Sequence, residues 1–532
     1  MNELDTSAAN DKRSPLGIPL AVHHYINVGS LVMLMVGLPT STFLTSLPQF
    51  ILAGNWLLEG RLKEKIKRFL GNPVALLLCS FYVMHLLGLL YTSTAGMDYG
   101  LEDVRKKIPL FLLPFLFSTM GIISDKEKRF IFLAFMLSLT FSTFYGIYLL
   151  VTRQFTDIRE ISTFVDPVRV GMMLVLSIYF LLHYILTKRW SIITVLLLIW
   201  VFWMVAYLFI MQSLTAVILL FVIAVMLLLV YAIRQLGKKN YMPALAMSAM
   251  ALFIISGCVA YASYFKHHYF PAADKVSFYT LDKKTLSGNS YLNDTDRYPT
   301  ENGHYVSIYI CYPELKSAWN RRSRIPFDST DIKGNPIKFT LLRYLASKNL
   351  RKDSSGVSQL SQSDVHAIEE GIPNFYFNSL TSMPYRFYQV LWELRDYRHG
   401  GYASGHSLTQ RFEFWKAALH IIKDHWFAGV GTGNVRIAFA DMYNRLQSRL
   451  DEKSRLRSHN QYLEIGVAFG IIGIVWFLFT LLFPAFGTGK IYTYYYLIFW
   501  LVLMIAMLTE DTLETQAGAT FYAFFNAFLL FL

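Results

Sequence analysis

Charge is scarce in this sequence. Asp, Glu, Lys and Arg make up 16% of its 532 residues, against roughly a quarter in an average soluble domain. That deficit excludes a soluble globular enzyme and a disordered chain. Cysteine is scarcer still: Cys79, Cys258 and Cys311 are too few for a disulfide framework. The first fourteen residues are polar and lack the apolar core of a signal peptide. There is no internal repeat, no zinc-type His/Cys spacing and no phosphate-binding Walker loop, and no nucleophile elbow. Basic residues outnumber acidic ones by 49 to 36, but they form no polar basic face of the kind that binds nucleic acid. They fall in short runs between long apolar stretches.

Apolar residues are what the chain has in excess: 54% are hydrophobic and 16% aromatic. Lipid offers backbone N–H and C=O groups no partner, so a run of roughly 18 or more apolar residues reads as a transmembrane helix. About twelve such runs are present on that rule: Asn27 to Thr40, Ser41 to Leu58, Asn72 to Tyr91, Ile108 to Ile123, Phe130 to Val151, Val168 to Leu186, Ile192 to Gln212, Thr215 to Ile233, Met242 to Tyr264, Tyr462 to Phe483, Ile491 to Leu508 and Ala517 to Leu532. If they alternate from a cytoplasmic N-terminus, one side collects Arg61, Lys63, Lys65, Lys67, Arg68, Lys126, Lys128, Arg129, Lys188, Arg189, Arg234, Lys238, Lys239 and Lys490. Retention of Lys and Arg during insertion makes that side the cytoplasm. Arg105, Lys106 and Lys107 are the exception and fall outside. The expected fold is therefore a mainly α, polytopic membrane protein with a cytoplasmic tail over 1–14, nine helices over 15–264, an extracytoplasmic α+β domain over 265–458, and three helices over 459–532. Within the polar interval, His304 to Tyr312 reads as a strand. Thr340 to Asn349 and Arg411 to Trp426 read as helices, the second capped by Ser407 or Thr409 and carrying Phe412, Trp415, Leu419, Ile422 and Trp426 at helical spacing on one apolar face.

Residues able to carry chemistry gather where this domain re-enters the membrane. His459 and Asn460 open a transmembrane helix at the water boundary, with Gly466, Gly470 and Gly473 spaced to let a neighbouring helix approach. An imidazole there suits a general base, its pKa lying near ambient pH. Arg169 sits at the outer end of a span, where an ionisable residue marks a site. Arg411 and Arg457 are guanidinium donors suited to phosphate oxygens. Glu510, Asp511 and Glu514 crowd the last outer loop, where they can orient a catalytic His or hold an acceptor hydroxyl. Gly429 to Gly433 read as a structural turn, and Asp294-Thr-Asp296 as a turn with accidental metal-pair spacing.

At these residues the chain resembles the O-antigen ligase and polymerase family of bacterial membrane glycosyltransferases, in its Bacteroidetes form. The family pattern of His, then Asn, Ser or Gln, nine residues, Gly, two residues and a small or aromatic residue is matched by His459, Asn460, Gly470 and Gly473. The helix Arg411 to Trp415, the turn Gly429 to Gly433 and the large outer loop are also similar, and the insertion over roughly 269–372 resembles the Bacteroidetes version. Many family ligases carry an Arg, then Leu three residues later, at a turn between central spans. Here that turn is Gln212-Ser213-Leu214-Thr215-Ala216, and Arg169 is the candidate replacement.

The resemblance implies a GT-C-like enzyme of the bacterial inner membrane acting on the periplasmic side. The donor is a glycan on undecaprenyl diphosphate and, in a ligase, the acceptor is a sugar hydroxyl of lipid A-core. In this reading His459 is the base, Arg169, Arg411 and Arg457 bind the diphosphate, and Asn460, Glu510 and Asp511 support them. The transfer inverts the anomeric centre and uses no metal or other cofactor. An O-antigen polymerase and a protein O-oligosaccharyltransferase are the alternative enzymes, and a transporter of lipid-linked sugars is the non-enzyme alternative.

Overall fold

The computed structural model describes residues 14–532 except 154, 156, 274–275, 296–298, 378–382 and 402. The predicted tail is therefore outside the described residues but for Ser14, as is Asp296. The chain is mainly helical. Its first part contains α1 (Leu20–Gly37), α2 (Thr42–Leu58), α3 (Leu62–Leu70), α4 (Pro73–Leu89), α5 (Met97–Lys107), α6 (Pro109–Phe117), α7 (Asp125–Thr152), α8 (Pro167–Thr187), α9 (Ile192–Ile210), α10 (Leu214–Gly237) and α11 (Tyr241–Tyr269). The polar interval follows, with β1 (Thr300–Glu301), β2 (His304–Tyr305), α12 (Tyr312–Asn320), α13 (Ile337–Ser347), α14 (Ser354–Ser358), α15 (Gln362–Glu369), α16 (Met383–Arg398), α17 (Ser407–Asp424) and α18 (Val435–Arg445). The chain ends in α19 (Gln461–Gly487), α20 (Tyr494–Ala506) and α21 (Gln516–Phe531).

Every apolar run coincides with a helix, but the lengths differ from expectation. Among the described residues seven helices, α1, α7 to α11 and α19, are long and apolar enough to cross a membrane, or eight if α3 and α4, bent by 87°, form one broken span. This makes the chain a polytopic membrane protein. The count falls short of about twelve because proline and the turn sequences shorten the other runs. Pro109 opens α6 and Pro114 lies inside it, leaving nine residues; Pro48 lies inside the 17-residue α2. The 13 residues of α20 rise only about 20 Å.

The helices fall into two compact units. The first comprises residues 1–151, 161–223 and 410–532, the second 152–160 and 224–409. The second holds two small cores. One gathers Trp319, Leu341, Leu345, Val357, Val365 and Ile368, and the other sets Phe265 of α11 among Ile372, Phe377, Tyr385 and Tyr388. The predicted strand over His304 to Tyr312 is reduced to the pair His304–Tyr305, antiparallel to Thr300–Glu301, and to single bridges from Ile310 to Leu292 and Lys352. Tyr309 takes a positive φ of 56°, which breaks the extended run, and α12 then starts at Tyr312 with Pro313 in its first turn. The predicted helix over Thr340 to Asn349 is present as α13. Ser407 is the first residue of α17 rather than a residue ahead of it.

In the first unit the break in α19 positions the site. Gly470 has φ 61° and ψ −153° in the middle of that helix, a region open essentially to glycine alone. The break frees the amides of Ile471 and Ile472, which donate to the carbonyls of Trp426 (2.8 Å) and Phe427 (3.4 Å). The glycine turn fills the gap: Val430 N donates to Val467 O and Gly431 N to Ala468 O, each at 2.9 Å. A Cβ on Gly470 would lie 2.4 Å from Phe427 O. Gly470→Ala is therefore expected to destabilise the protein by more than about 2 kcal/mol. Thermal unfolding in detergent checks this, and an unchanged midpoint would show that the kink relaxes without cost.

Candidate active site

The end of α17, the loop before α19, and the loop between α20 and α21 converge on His459. The buried face of α17 is not the predicted one. Phe414, Ala417, Ala418 and Ile421 are buried, whereas Leu419 and Trp426 are 57% and 62% exposed. Helical periodicity cannot separate a face that meets lipid from one that meets protein, and small residues favour the protein side. The inward turn brings Phe414 against the His459 ring, centroids 5.6 Å apart, and sets Arg411 against the loop between α20 and α21.

His459 itself has a positive φ of 46°, uncommon for a residue with a side chain. Asn460 anchors it from the next position. Its side chain caps α19 by accepting from Leu463 N at 3.1 Å, and it donates to Leu508 O at 2.8 Å. Gln461 N reaches Met507 O at 2.9 Å. The loop between α20 and α21 is thus fastened to the head of α19, and its carboxylates meet the ring. His459 Nδ1 lies 3.4 Å from Asp511 and 3.7 Å from Glu510, which is ion-pair range rather than a close hydrogen bond. Burial opposes the charged ring, but the two carboxylates outweigh it and lift the pKa to about 9.

Each carboxylate is also held by an arginine. Arg411 donates to Glu510 Oε1 at 2.6 Å and to Thr509 O at 3.2 Å. Arg457 lies 3.2 Å from Asp511, 2.9 Å from Glu514 and 3.4 Å from Glu464, and donates to the Tyr99 hydroxyl at 3.1 Å. Burial disfavours its charge, but these acidic neighbours more than compensate and hold its pKa above the usual arginine value. Its donors are committed within the protein, so Arg457 serves as a clamp on the acidic loop.

Arg169 makes no hydrogen bond or ion pair with this cluster among the described residues. It lies in the first turn of α8, after Pro167 and the capping Asp166, and its buried Nε meets no acceptor among the described residues. Two residues on, a Cβ at Gly171 would touch Ala216 (2.6 Å) and Ser213 (3.3 Å). The start of α8 therefore packs on the turn over 212–216.

One atom each of His459, Glu510 and Asp511 lies within 4.8 Å of the others, a spacing that suits a cation. The two carboxylates already hold Arg411 and Arg457. The transfer that the resemblance implies is therefore expected to continue in excess EDTA; loss of activity restored by magnesium or manganese would overturn this. Asp294 is not in a turn: it follows the bridge residue Leu292 in the second unit, its amide donating to Ser307 O at 3.0 Å. The glycine turn does not cradle phosphate, because its amides are used internally: beyond those of Val430 and Gly431, Thr432 N donates to Gly88 O at 3.2 Å and Gly433 N to Thr92 Oγ1 at 3.1 Å.

Sequence reasoning missed Tyr99, Asp103, Lys107, Gln461 and Glu464. Two of them carried a visible sign: Lys107 lies in the basic run on the unexpected side, and Glu464 is an acid in the first turn of an apolar helix.

No curated protein matches the chain. The model of one family, O-antigen ligase, matches residues 369–478, a stretch that runs from α16 through α17 and the glycine turn to His459, Asn460 and the kink of α19. Through that segment, about a fifth of the chain, the protein is similar to the O-antigen ligase family.

Proposed function

We propose that this protein is an O-antigen ligase: it transfers a glycan from undecaprenyl diphosphate to a sugar hydroxyl of lipid A-core at the periplasmic face of the bacterial inner membrane. The observation that carries this reading is His459 held between two carboxylates that are themselves tied to Arg411 and Arg457. Nδ1 faces the carboxylates, which leaves Nε2 for substrate. In the reaction the acceptor oxygen bonds to the anomeric carbon as the bond from that carbon to the phosphate oxygen breaks. The hydroxyl proton passes to Nε2, and the lipid diphosphate leaves with its negative charge. One in-line displacement inverts the anomeric centre. Asp511 and Glu510 stabilise the imidazolium that forms, and Arg411 stabilises the leaving diphosphate in the transition state.

Arg169 is the second diphosphate ligand in this reading, and the packing of α8 on α20 supports it. The Tyr494 hydroxyl donates to Tyr179 O at 3.2 Å and its ring stacks on His183, centroids 3.9 Å apart. Lys188 and Lys490 belong to the same basic side, so α20 rises as α8 descends. Arg169 precedes Tyr179 by ten residues, a rise of about 15 Å, which brings it toward the last turns of α20 and the acidic loop beyond.

The test is transfer by purified protein given labelled undecaprenyl-diphosphate glycan and, separately, lipid A-core, a second lipid-linked glycan and a hydroxyl-bearing peptide. Label on lipid A-core is the expected result. Extension of the lipid-linked glycan alone would make the protein a polymerase, label on the peptide alone would make it a protein glycosyltransferase, and no transfer to any acceptor would remove the enzyme reading.

A further inference from the structure

The charges beneath His459 do not end at its two carboxylates. Arg457 joins Asp511 to Glu514, and Glu514 Oε2 accepts from Lys107 Nζ at 2.7 Å. Lys107 also donates to Asp103 Oδ2 at 2.7 Å. Lys107, Asp103, Glu514 and Glu464 have side chains no more than 5% exposed. Gln461 locks the assembly to α19, donating to Glu514 Oε1 at 3.1 Å while accepting from Leu513 N at 2.7 Å. His85 of α4 closes the far end, buried, with Nδ1 3.9 Å from Asp103. Burial works against the Lys107 charge, yet Asp103 and Glu514 hold its pKa above the usual lysine value. Burial likewise opposes the Glu514 carboxylate, but Lys107 and Arg457 prevail and hold it well below the usual range.

So many ions out of water carry a desolvation cost that well-packed apolar residues would avoid. The arrangement does have one consequence for the reaction. Arg457 is shared between Asp511, which faces His459, and Glu514, which Lys107 already neutralises in part. We infer that Lys107 and Glu514 are positioning residues of the transferase site: they set how strongly Arg457 holds Asp511, and through Asp511 the basicity of His459. The inference rests on the base role proposed above. It also accounts for a lysine on the side of the membrane where the charge rule does not expect one.

The two residues should act with opposite sign. With Glu514→Gln, Arg457 turns more fully to Asp511, which then does less to stabilise the imidazolium. With Lys107→Met, Glu514 is left uncompensated and draws Arg457 away, so Asp511 stabilises the imidazolium more. Lys107→Met also takes the lysine from Asp103; the other charged or titratable groups around the assembly, Arg411, Glu510, Glu464, Tyr99 and His85, are present in both variants.

The experiment titrates His459 by NMR in full-length, histidine-labelled protein, with the resonance assigned by its loss in His459→Asn, and records the pH–rate profile beside it. Glu514→Gln should lower the His459 midpoint, and Lys107→Met should raise it, each by about half a unit or more. Lys107→Arg should restore the original value. The titration needs no turnover, so failure of the transferase reading would leave it readable. Equal midpoints in all variants, or shifts of one sign, would overturn the inference and leave the network a structural role only. If Lys107→Met does not fold, the direction of the Glu514→Gln shift decides alone.

Discussion

Transfer is expected to climb with pH through the neutral range and level off near pH 9, and replacing His459 is expected to abolish it. The two results have one cause. The ring lies 3.4 Å from Asp511 and 3.7 Å from Glu510, and although burial opposes its charge, these neighbours raise its pKa to about 9. At neutral pH most of the enzyme holds an imidazolium, which cannot accept the hydroxyl proton, so each step toward pH 9 enlarges the competent fraction. A positioned base contributes typically 10²- to 10⁴-fold, and its removal should cost at least that.

The choice of substitution matters because His459 has a positive φ of 46°. Asn tolerates that conformation better than Ala, so His459→Asn tests the base with less backbone strain. The stability linkage has a definite sign. A folded pKa raised above the unfolded value contributes stability that is fully present below about pH 6.5 and is lost as pH rises through about 9. The alkaline limb must therefore be measured as initial rates on protein shown to be folded. A flat profile, or a His459→Asn enzyme with near-normal kcat, would take the residue out of the base role.

The sequence shows where each helix lies because lipid imposes one requirement on all of them: an apolar run long enough to satisfy its own backbone. It does not show how each run ends. Pro109 and Pro114 reduce one expected span to nine residues, and the effect of Pro48 or of the bend before Pro73 depends on which neighbours accept the freed backbone groups. The spacing from His459 to Gly470 points to the candidate site, but the role of the glycine is not legible in it. Gly466, Gly470 and Gly473 read as one smooth packing face, whereas Gly470 breaks the helix and admits the turn at Val430 and Gly431. The inner face of α17 was misread for a similar reason, since Leu419 and Trp426 are apolar and yet exposed. Least legible was the ion network. Lys107 and Glu514 are separated by 407 positions, and no local pattern connects them. What the sequence did display was an anomaly at each end, a basic run on the outer side and three carboxylates in one short loop.

Substituting lysine for either Arg169 or Arg411 should slow transfer by roughly two orders of magnitude or more. Both side chains keep their charge in the variant, so the prediction isolates geometry. A guanidinium presents two parallel N–H groups to two phosphate oxygens, and an ammonium on a flexible stem does not. Losing such a contact to a group whose charge develops in the transition state costs about 2–4 kcal/mol. The two arginines start from different states, which separates their expected behaviour. Arg411 rests on Glu510 and Thr509 and must exchange that carboxylate for the diphosphate. Arg411→Lys should accordingly raise KM for the donor as well as lower kcat, and Glu510→Gln should ease the exchange while weakening support for the His459 imidazolium. Arg169 has a buried Nε without an acceptor, so it gives up no carboxylate on binding and its loss should appear chiefly in kcat. Arg457→Lys should behave unlike both. Three carboxylates and Tyr99 surround that guanidinium, and its replacement should reduce folded protein before any kinetic constant can be read. Steady-state kinetics with titrated donor distinguishes these cases. An Arg169→Lys enzyme with unchanged kcat/KM would mean that the turn over 212–216 has lost its cation without replacement, leaving Arg411 to hold the diphosphate.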